Sequence, residues 1–221
     1  QFPPPQRRKL QVVFAGVDTR LFRPVPWSGP VVLHGDGLDQ PLRLEPDQRL
    51  LSYGTRGMEP IRGFAEFMRM LPALMRQFPD LQVVVAGNDR IAYSYGAPSH
   101  GGSWKQHLLA ELEGQLDCSR LHFTGLLNYG DYVGMIQRSD LHVVFSRPYV
   151  TSWGLFQAAA CGARLLLNRT ASSQAVLRED QAFWADLDDP QALSNTAAEA
   201  LRIALDQRKM PRQSALRSEW E

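Results

Sequence analysis

The chain has 221 residues, enough for one large domain or two small ones. Hydrophobic residues make up 44% and charged residues 21%, which are the proportions of an ordinary soluble globular protein. A net charge of +1 leaves no basic footprint for a nucleic acid, and the most basic run, residues 7–9, is too short for a binding arm. No apolar stretch approaches the roughly 20 residues of a membrane span.

Cysteine usage and the start of the chain bear on the compartment. Cys118 and Cys161 are too few for a disulfide-built secreted domain, so we expect plain thiols in a reducing compartment. No signal peptide is visible, and the chain begins at Gln1 in proline-rich sequence. We therefore expect a part of a longer protein, cytoplasmic or peripheral at the inner face of the membrane.

The first 49 residues are predicted to be a linker and hairpin arm that contributes no core. Residues 12–14 are a short strand candidate. Residues 31–33 and 42–44 flank Gly35-Asp36-Gly37, which predicts a hairpin. Because a hairpin without its own domain leaves open strand edges, we expect the arm to pair two copies into a homodimer.

From Leu50 onward, strand and helix patterns alternate. Strands are predicted over 50–53, 81–86, 121–123, 141–145 and 164–167, and helices over 64–78, 104–116, 131–137, 153–161 and 190–205. Val- and Leu-rich strands separated by helices predict an α/β domain over 50–221, a Rossmann-like parallel sheet covered on both faces. Such sheets bind ligands beyond the carboxyl ends of their strands, so the loops after Tyr53, Ala86, Phe123 and Phe145 should line a cleft.

Residues 53–63 form the first candidate motif, because they follow a strand and open a helix. Glycines permit close backbone approach, and Arg56 and Arg62 arrive near the helix start. Helix N–H groups with forked arginine donors suit a diphosphate. A glycine turn with two surface arginines is the alternative.

Residues 146–162 form the second candidate motif and again run strand, loop, helix. Ser152 is a predicted N-cap, and Thr151 and Ser152 are placed to hold phosphate oxygens beside the helix N–H groups. Gln157, one turn later, would face the same cleft. A capped and closely packed helix explains the pattern equally well.

Other signals carry less weight. The polar loop from Gly87 to Gly102 is either a binding loop or an ordinary surface loop. Asp186-Leu187-Asp188 resembles a metal motif but leads into a helix at Pro190, which favours capping. The histidines show no metal-ligand spacing, with His122 and His142 in strand patterns, so no metal site is predicted.

Taken together, the motifs resemble the C-terminal, donor-binding domain of family 4 glycosyltransferases of the group 1 type, which have the GT-B fold. They are, in chain order, Gly16-Val17-Asp18 to Pro24, Arg56-Gly57-Met58-Glu59-Pro60, Arg62-Gly63-Phe64, Gly87-Asn88-Asp89-Arg90, His122-Phe123-Thr124-Gly125, Ser152-Trp153-Gly154, Ala160-Cys161-Gly162 and Asp188-Asp189-Pro190. The first of these is similar to the interdomain linker of that family.

The resemblance implies a role for each matching position. Arg56 and Arg62 would neutralise the donor diphosphate as catalytic residues. The substrate-binding positions that it implies are Gly57, Asn88, Arg90, Gly125, Leu126, Tyr149, Thr151, Ser152, Trp153 and Gln157. The family generally needs no bound metal and no cofactor, since the nucleoside diphosphate sugar is its substrate.

Departures from the family pattern leave two functional hypotheses. Tyr149 and Gln157 replace the two glutamates of the family's E-x7-E pattern, and an amide is a weaker partner for ribose hydroxyls than a carboxylate. The first hypothesis is a retaining glycosyltransferase whose N-terminal domain binds a glycan or lipid-linked acceptor. The second is a degenerate, non-catalytic nucleotide-binding or assembly module. Another GT-B-like enzyme, such as an epimerase, is a third and weaker alternative.

Overall fold

A computed structural model describes residues 3–10, 16–26, 29–94, 96, 98, 101–147 and 151–216. The strand candidate at 12–14 lies outside the described residues, as does Tyr149.

The strands are β1 (Val31–Leu33), β2 (Leu42–Leu44), β3 (Arg49–Gly57), β4 (Leu81–Asn88), β5 (Leu121–Gly125), β6 (Leu141–Val144), β7 (Leu165–Asn168) and β8 (Phe183–Ala185). The helices are α1 (Pro4–Arg7), α2 (Phe64–Gln77), α3 (Trp104–Glu111), α4 (Tyr129–Arg138), α5 (Trp153–Ala160), α6 (Ala171–Val176) and α7 (Pro190–Asp206), with 3-10 turns at Pro60–Arg62, Cys118–Arg120 and Glu179–Gln181.

Six of the described strands form one parallel sheet in the order β5-β4-β3-β6-β7-β8. The chain winds outward from β3 to β5, then crosses to the other side of β3 and winds outward again. The loops after β3 and β6 therefore diverge at the switch point of the sheet, where α/β proteins bind ligands. The predicted α/β, Rossmann-like parallel sheet is confirmed.

Two hydrophobic cores cover the two faces of the sheet, because its strands present apolar side chains to both sides. One core joins the sheet to α2, α3 and α7, and Tyr53 stacks there on Phe67 with ring centroids 4.5 Å apart. The other joins it to α4 and α5, whose small residues Ala158–Ala160 are buried. Asp189 caps α7 as predicted, since its side chain accepts from the Gln191 and Ala192 N–H groups.

The predicted hairpin is present, but the expectation that residues 1–49 contribute no core is wrong. Strands β1 and β2 pair antiparallel, with Val31 opposite Leu44. Phe22, Val31, Leu33 and Leu44 are buried in the core of the α4 face. Side chains alternate along β1, so one apolar face of the strand points toward the domain. The prolines in the surrounding sequence made this face hard to predict. The homodimer through this arm stays a prediction.

Several element boundaries differ from the predictions. Helix α3 ends at Glu111 instead of residue 116, because hydrogen bonds from Glu113 N–H to the Ala110 carbonyl and from Gln115 N–H to the Leu112 carbonyl tighten the chain into turns. Strand β8 and helix α6 were not predicted, since segments of three and six residues carry little periodicity. Among the described residues, no helix is both long and apolar enough to span a bilayer.

Candidate functional site

A cleft of about 720 Å³ opens at the carboxyl edge of the sheet, over the switch point. All four segments predicted to line it contribute residues, although Gly54, Thr55 and Arg56 still lie within β3 and Gly87 within β4. The lining residues are Gly54, Thr55, Arg56, Arg62, Ala86, Gly87, Tyr93, Leu126, Leu127, Tyr132, Val144, Phe145, Thr151, Ser152, Trp153, Gly154 and Gln157. Among these described residues the charged side chains are two arginines and no carboxylate, so the cleft favours an anionic ligand.

Arg56 and Arg62 converge on one aromatic ring at the β3–α2 side of the cleft. Arg56 Nη1 donates to the Tyr93 hydroxyl at 2.9 Å, and the two guanidinium carbons lie 5.8 and 5.1 Å from the Tyr93 ring centroid. Arg62 Nη1 also donates to the Ser146 hydroxyl at 3.3 Å. Neither arginine forms an ion pair within the described residues. Hydroxyl partners orient the forks and leave their charge available to a ligand.

A buried carboxylate holds the loop that carries Tyr93. Glu59 is fully buried, and its Oε2 accepts backbone N–H groups from Ala92, Tyr93 and Ser94 at 3.1, 2.8 and 2.6 Å. Three backbone donors on one carboxylate oxygen fix the position of this loop. Glu59 thereby holds in place the loop whose Tyr93 ring contacts both guanidinium groups.

The β6–α5 loop brings a helix start to the opposite side of the cleft. Ser152 occupies the N-cap position of α5, as predicted, but its hydroxyl accepts no hydrogen bond from the helix. A side chain that does not cap leaves the positive end of the helix open to an external anion. Trp153 is 60% exposed at the first helical position. One turn later, Gln157 Nε2 donates to the Tyr129 hydroxyl at 3.4 Å.

Beneath the cleft, a chain of hydrogen bonds fixes the tautomer of a buried histidine. Ser139 Oγ donates to the Met135 carbonyl at 2.7 Å, so Ser52 Oγ must donate to Ser139 at 2.5 Å and accept from His142 Nδ1 at 2.7 Å. His142 Nε2 is then a bare acceptor, without a partner among the described residues. Burial lowers the pKa of His142 to about 4, so the ring is neutral.

Tyr132 forms the floor of the cleft between the two loops. A Cβ on Gly54 would lie 3.2 Å from its ring, and one on Gly154 would lie 3.3 Å from its hydroxyl. Burial raises the pKa of this phenol, which therefore stays protonated as a hydrogen-bond donor. The two glycines thus make room for a neutral donor at the base of the site.

The structure separates the predicted site residues into two groups. Those that line the cleft are Arg56, Arg62, Leu126, Thr151, Ser152, Trp153 and Gln157. Those that do not are Gly57, Asn88, Arg90 and Gly125.

Members of the second group support the site from behind. Gly57 pairs with Asn88 across the sheet, and a Cβ on Gly57 would lie 2.6 Å from the Arg90 carbonyl oxygen, so close backbone packing explains this glycine. Gly125 packs against the hairpin loop. Tyr149 lies outside the described residues, so its role stays a prediction.

Four residues that line or support the cleft were not assigned from sequence: Glu59, Tyr93, Tyr132 and Asp36, whose Oδ1 accepts the Leu126 N–H at 2.6 Å. Tyr93 lies in the polar loop from Gly87 to Gly102. An aromatic residue in a candidate binding loop was the sequence signal that could have assigned it to the site. Asp36 fell in the predicted hairpin turn, Glu59 in the first candidate motif ahead of its helix, and Tyr132 within the predicted helix over 131–137. Their roles depend on contacts with residues distant in sequence, such as Glu59 with Ala92, 33 residues away, and Asp36 with Leu126, 90 residues away.

The metal-like signal has a structural explanation. Asp186 accepts the Asp188 N–H at 2.9 Å, and Asp188 pairs with Arg147 at 2.6 Å. The described residues hold no group of three or more His, Cys, Asp or Glu side chains arranged to bind a metal ion.

Comparison with known families decides the classification. A family model described as Glycosyl transferase-like matches residues 65–218, well over half of the chain. The chain belongs to this glycosyltransferase-like family. No curated protein matches it in sequence.

Solved structures show the same fold. The C-terminal domain of a glycosyl transferase group 1 family protein (LpcC) from Francisella tularensis superposes with a TM-score of 0.62 at 16% identity, covering 90% of this chain and 93% of that domain. Sucrose-phosphate synthase from Thermosynechococcus elongatus gives 0.60 at 20% identity, over 90% of this chain and 47% of the enzyme. Trehalose 6-phosphate synthase from Burkholderia multivorans gives 0.53 at 14%, over 73% and 37%. The chain thus spans less than half of these two enzymes.

Proposed function

We propose that the chain is the donor-binding domain of a retaining glycosyltransferase and binds a nucleoside diphosphate sugar in this cleft. The observation that carries the proposal is the charge of the cleft: Arg56 and Arg62 face it without carboxylate partners among the described residues, opposite the uncapped start of α5. A diphosphate between them would receive forked donors from one side and the helix dipole from the other.

In this proposal the arginines act on the departing group. Breaking the bond between the sugar and the diphosphate builds negative charge on the phosphate oxygens, and fixed cations at that place stabilise the transition state. No metal is needed for this step, since two guanidinium groups supply the charge. The Tyr132 phenol and the Thr151 and Ser152 hydroxyls are neutral donors beside them.

The acceptor belongs to another domain in this scheme. A glycan or lipid-linked acceptor would bind to an N-terminal domain facing the cleft, for synthesis of a cell-surface polysaccharide or glycolipid in the cytoplasm or at the inner face of the membrane. The 221-residue chain by itself should bind nucleotide and turn over little or no substrate. A measurable transferase rate from this chain alone would contradict the scheme.

Isothermal titration with UDP, GDP and ADP, then with the matching sugar nucleotides, tests the donor site. Arg62→Ala should weaken the best of these ligands tenfold or more, because a hydrogen bond to a charged group contributes about 1.5–3 kcal/mol. Arg202→Ala, on the exposed face of α7, removes the same charge far from the cleft and should leave the affinity unchanged. If both variants weakened binding equally, or if neither weakened it, the assignment of Arg62 to the donor site would be contradicted.

Gln157 in the cleft favours a second candidate, a nucleotide-binding module without transferase activity. An amide there is a weaker partner for ribose hydroxyls than the glutamate of the E-x7-E pattern that the sequence resembles. The two candidates differ in selectivity. An enzyme should prefer one sugar nucleotide over its bare nucleoside diphosphate, whereas the module should not distinguish them.

A further inference from the structure

The hairpin loop, residues 34–37, lies against the far wall of the cleft, residues 124–127. Asp36 Oδ1 accepts the Leu126 N–H at 2.6 Å, and the Asp36 N–H donates to the Leu126 carbonyl at 3.4 Å. The Gly37 N–H donates to the Thr124 carbonyl at 3.0 Å, and Gly35 bridges Leu127 in antiparallel fashion. The loop therefore continues the wall as a short strand pair.

The backbone of the wall is shaped for this carboxylate. Gly125 has φ of +66°, and a Cβ there would lie 2.0 Å from Asp36 Oδ1. Only glycine accepts both the left-handed backbone and the approach of the oxygen. The charge-assisted bond from Leu126 is short, as expected for an ionised acceptor.

The same hairpin is anchored to the helix that follows the wall. The His34 N–H donates to Asp131 Oδ2 at 2.7 Å in the first turn of α4. Below it, Val31 and Leu33 are buried in the core that includes Val133 of α4. The hairpin that carries Asp36 is thus held in place by α4, independently of its contacts with the wall.

The wall contributes two apolar side chains to the cleft, Leu126 and Leu127. Leu126 is 50% exposed there, while its N–H is already bonded to Asp36 and so does not face the ligand. Leu126 follows β5, two strands from β3, which carries Arg56 near its end and precedes Arg62. At the usual strand spacing, this places Leu126 about 10 Å from the arginines. A diphosphate at the arginines would reach this wall with its nucleoside.

From these contacts we propose that Asp36 is a positioning residue for nucleoside recognition, holding Leu126 and its neighbours where the nucleobase packs. This rests on the proposed function of the cleft. The hairpin lies outside the 65–218 segment that the family model matches.

Charge and positioning predict opposite effects, which makes the inference testable. If Asp36 acted only through its charge, its removal would strengthen the binding of any anion in this positive cleft. If it positions the wall, Asp36→Ala should weaken nucleoside diphosphate binding on the order of tenfold. Inorganic pyrophosphate lacks a nucleoside and would contact only the arginines and the start of α5, so it should bind Asp36→Ala no more weakly than the unmodified chain.

Two further variants of the 221-residue chain complete the titrations. Asp36→Asn removes the charge but keeps an acceptor oxygen, so it should retain affinity within about threefold of the unmodified chain. Asp39→Ala removes the same charge from an exposed position in the same connection and should not weaken any of the ligands. Amide hydrogen exchange without ligand should show at least about tenfold faster exchange at Leu126 in Asp36→Ala alone.

The outcomes separate this inference from the function on which it rests. Binding of pyrophosphate and nucleotide by the unmodified chain, with nucleotide affinity unaffected or raised in Asp36→Ala, overturns the positioning role alone. An equal loss for both ligands also overturns it, because the effect would then be general. Failure of the unmodified chain to bind either ligand overturns the proposed function.

Discussion

Asp140 provides a measure of how the edge of the sheet opposite the cleft is held together. Its carboxylate is fully buried, with Oδ2 accepting the Leu50 N–H at 2.8 Å and lying 3.6 Å from Arg138 Nη1. Arg208 Nε lies 3.0 Å from Oδ1. Arg212 donates to the Gln137 and Ser139 carbonyls nearby, and burial beside other arginines lowers its pKa to about 10. One carboxylate therefore compensates part of the charge of three arginines, of which Arg138 is buried and Arg208 and Arg212 are partly buried.

Asp140→Asn keeps the shape and an acceptor for Leu50, and removes only the charge. A pair of unit charges about 4 Å apart interacts by about 4 kcal/mol at an effective dielectric constant of about 20. The amide is less costly to bury than the carboxylate, which offsets part of the lost interaction. We therefore expect the free energy of unfolding to fall by about 3–5 kcal/mol, as when one partner of a buried pair is removed. For a chain of this size the melting temperature should fall by about 10 °C.

Urea unfolding followed by circular dichroism measures the loss, with an unchanged m-value as the sign of an unchanged fold. Asp18→Asn is the control, since Asp18 pairs with Arg20 on the surface and its removal should have no measurable effect. A loss below about 1 kcal/mol in Asp140→Asn would refute the reasoning. It would mean that backbone carbonyls, rather than Asp140, compensate the arginines.

Two other predictions concern the cleft and the histidine beneath it. The pKa of His142 is about 4 when folded against 6.5 unfolded, so the unfolded state binds more protons in that window. The free energy of unfolding should therefore fall by about 3 kcal/mol as the pH drops from about 6.5 to about 4. His142→Gln should remove most of this pH dependence, and an unchanged dependence in that variant would contradict the prediction. Gln157→Glu should tighten nucleoside diphosphate binding about tenfold by titration, without tightening pyrophosphate binding, since only the former has ribose hydroxyls. An equal gain for both would place the effect elsewhere.

The sequence alone determined the layers of this protein and the edge at which its site lies. Periodicity from Leu50 onward predicted β3 to β7 and the helices α2 to α5 and α7, because a strand buried on both faces must be apolar throughout and a helix must be apolar on one side. The rule that parallel sheets bind ligands at their carboxyl ends then placed Arg56, Arg62 and Gln157 in one cleft before any contact was known.

Tertiary structure decided what supports those residues. Glu59 beneath Tyr93 and Asp36 behind Leu126 act across 33 to 35 and 90 residues of chain, and nothing local distinguishes them from a helix approach and a turn. The hairpin was predicted as an arm without a core, because the proline-rich sequence around it gave no clear pattern of buried residues. Local sequence fixes which backbone conformations are accessible, whereas the partners of a buried carboxylate depend on how distant segments pack, since each must find donors wherever the fold brings them.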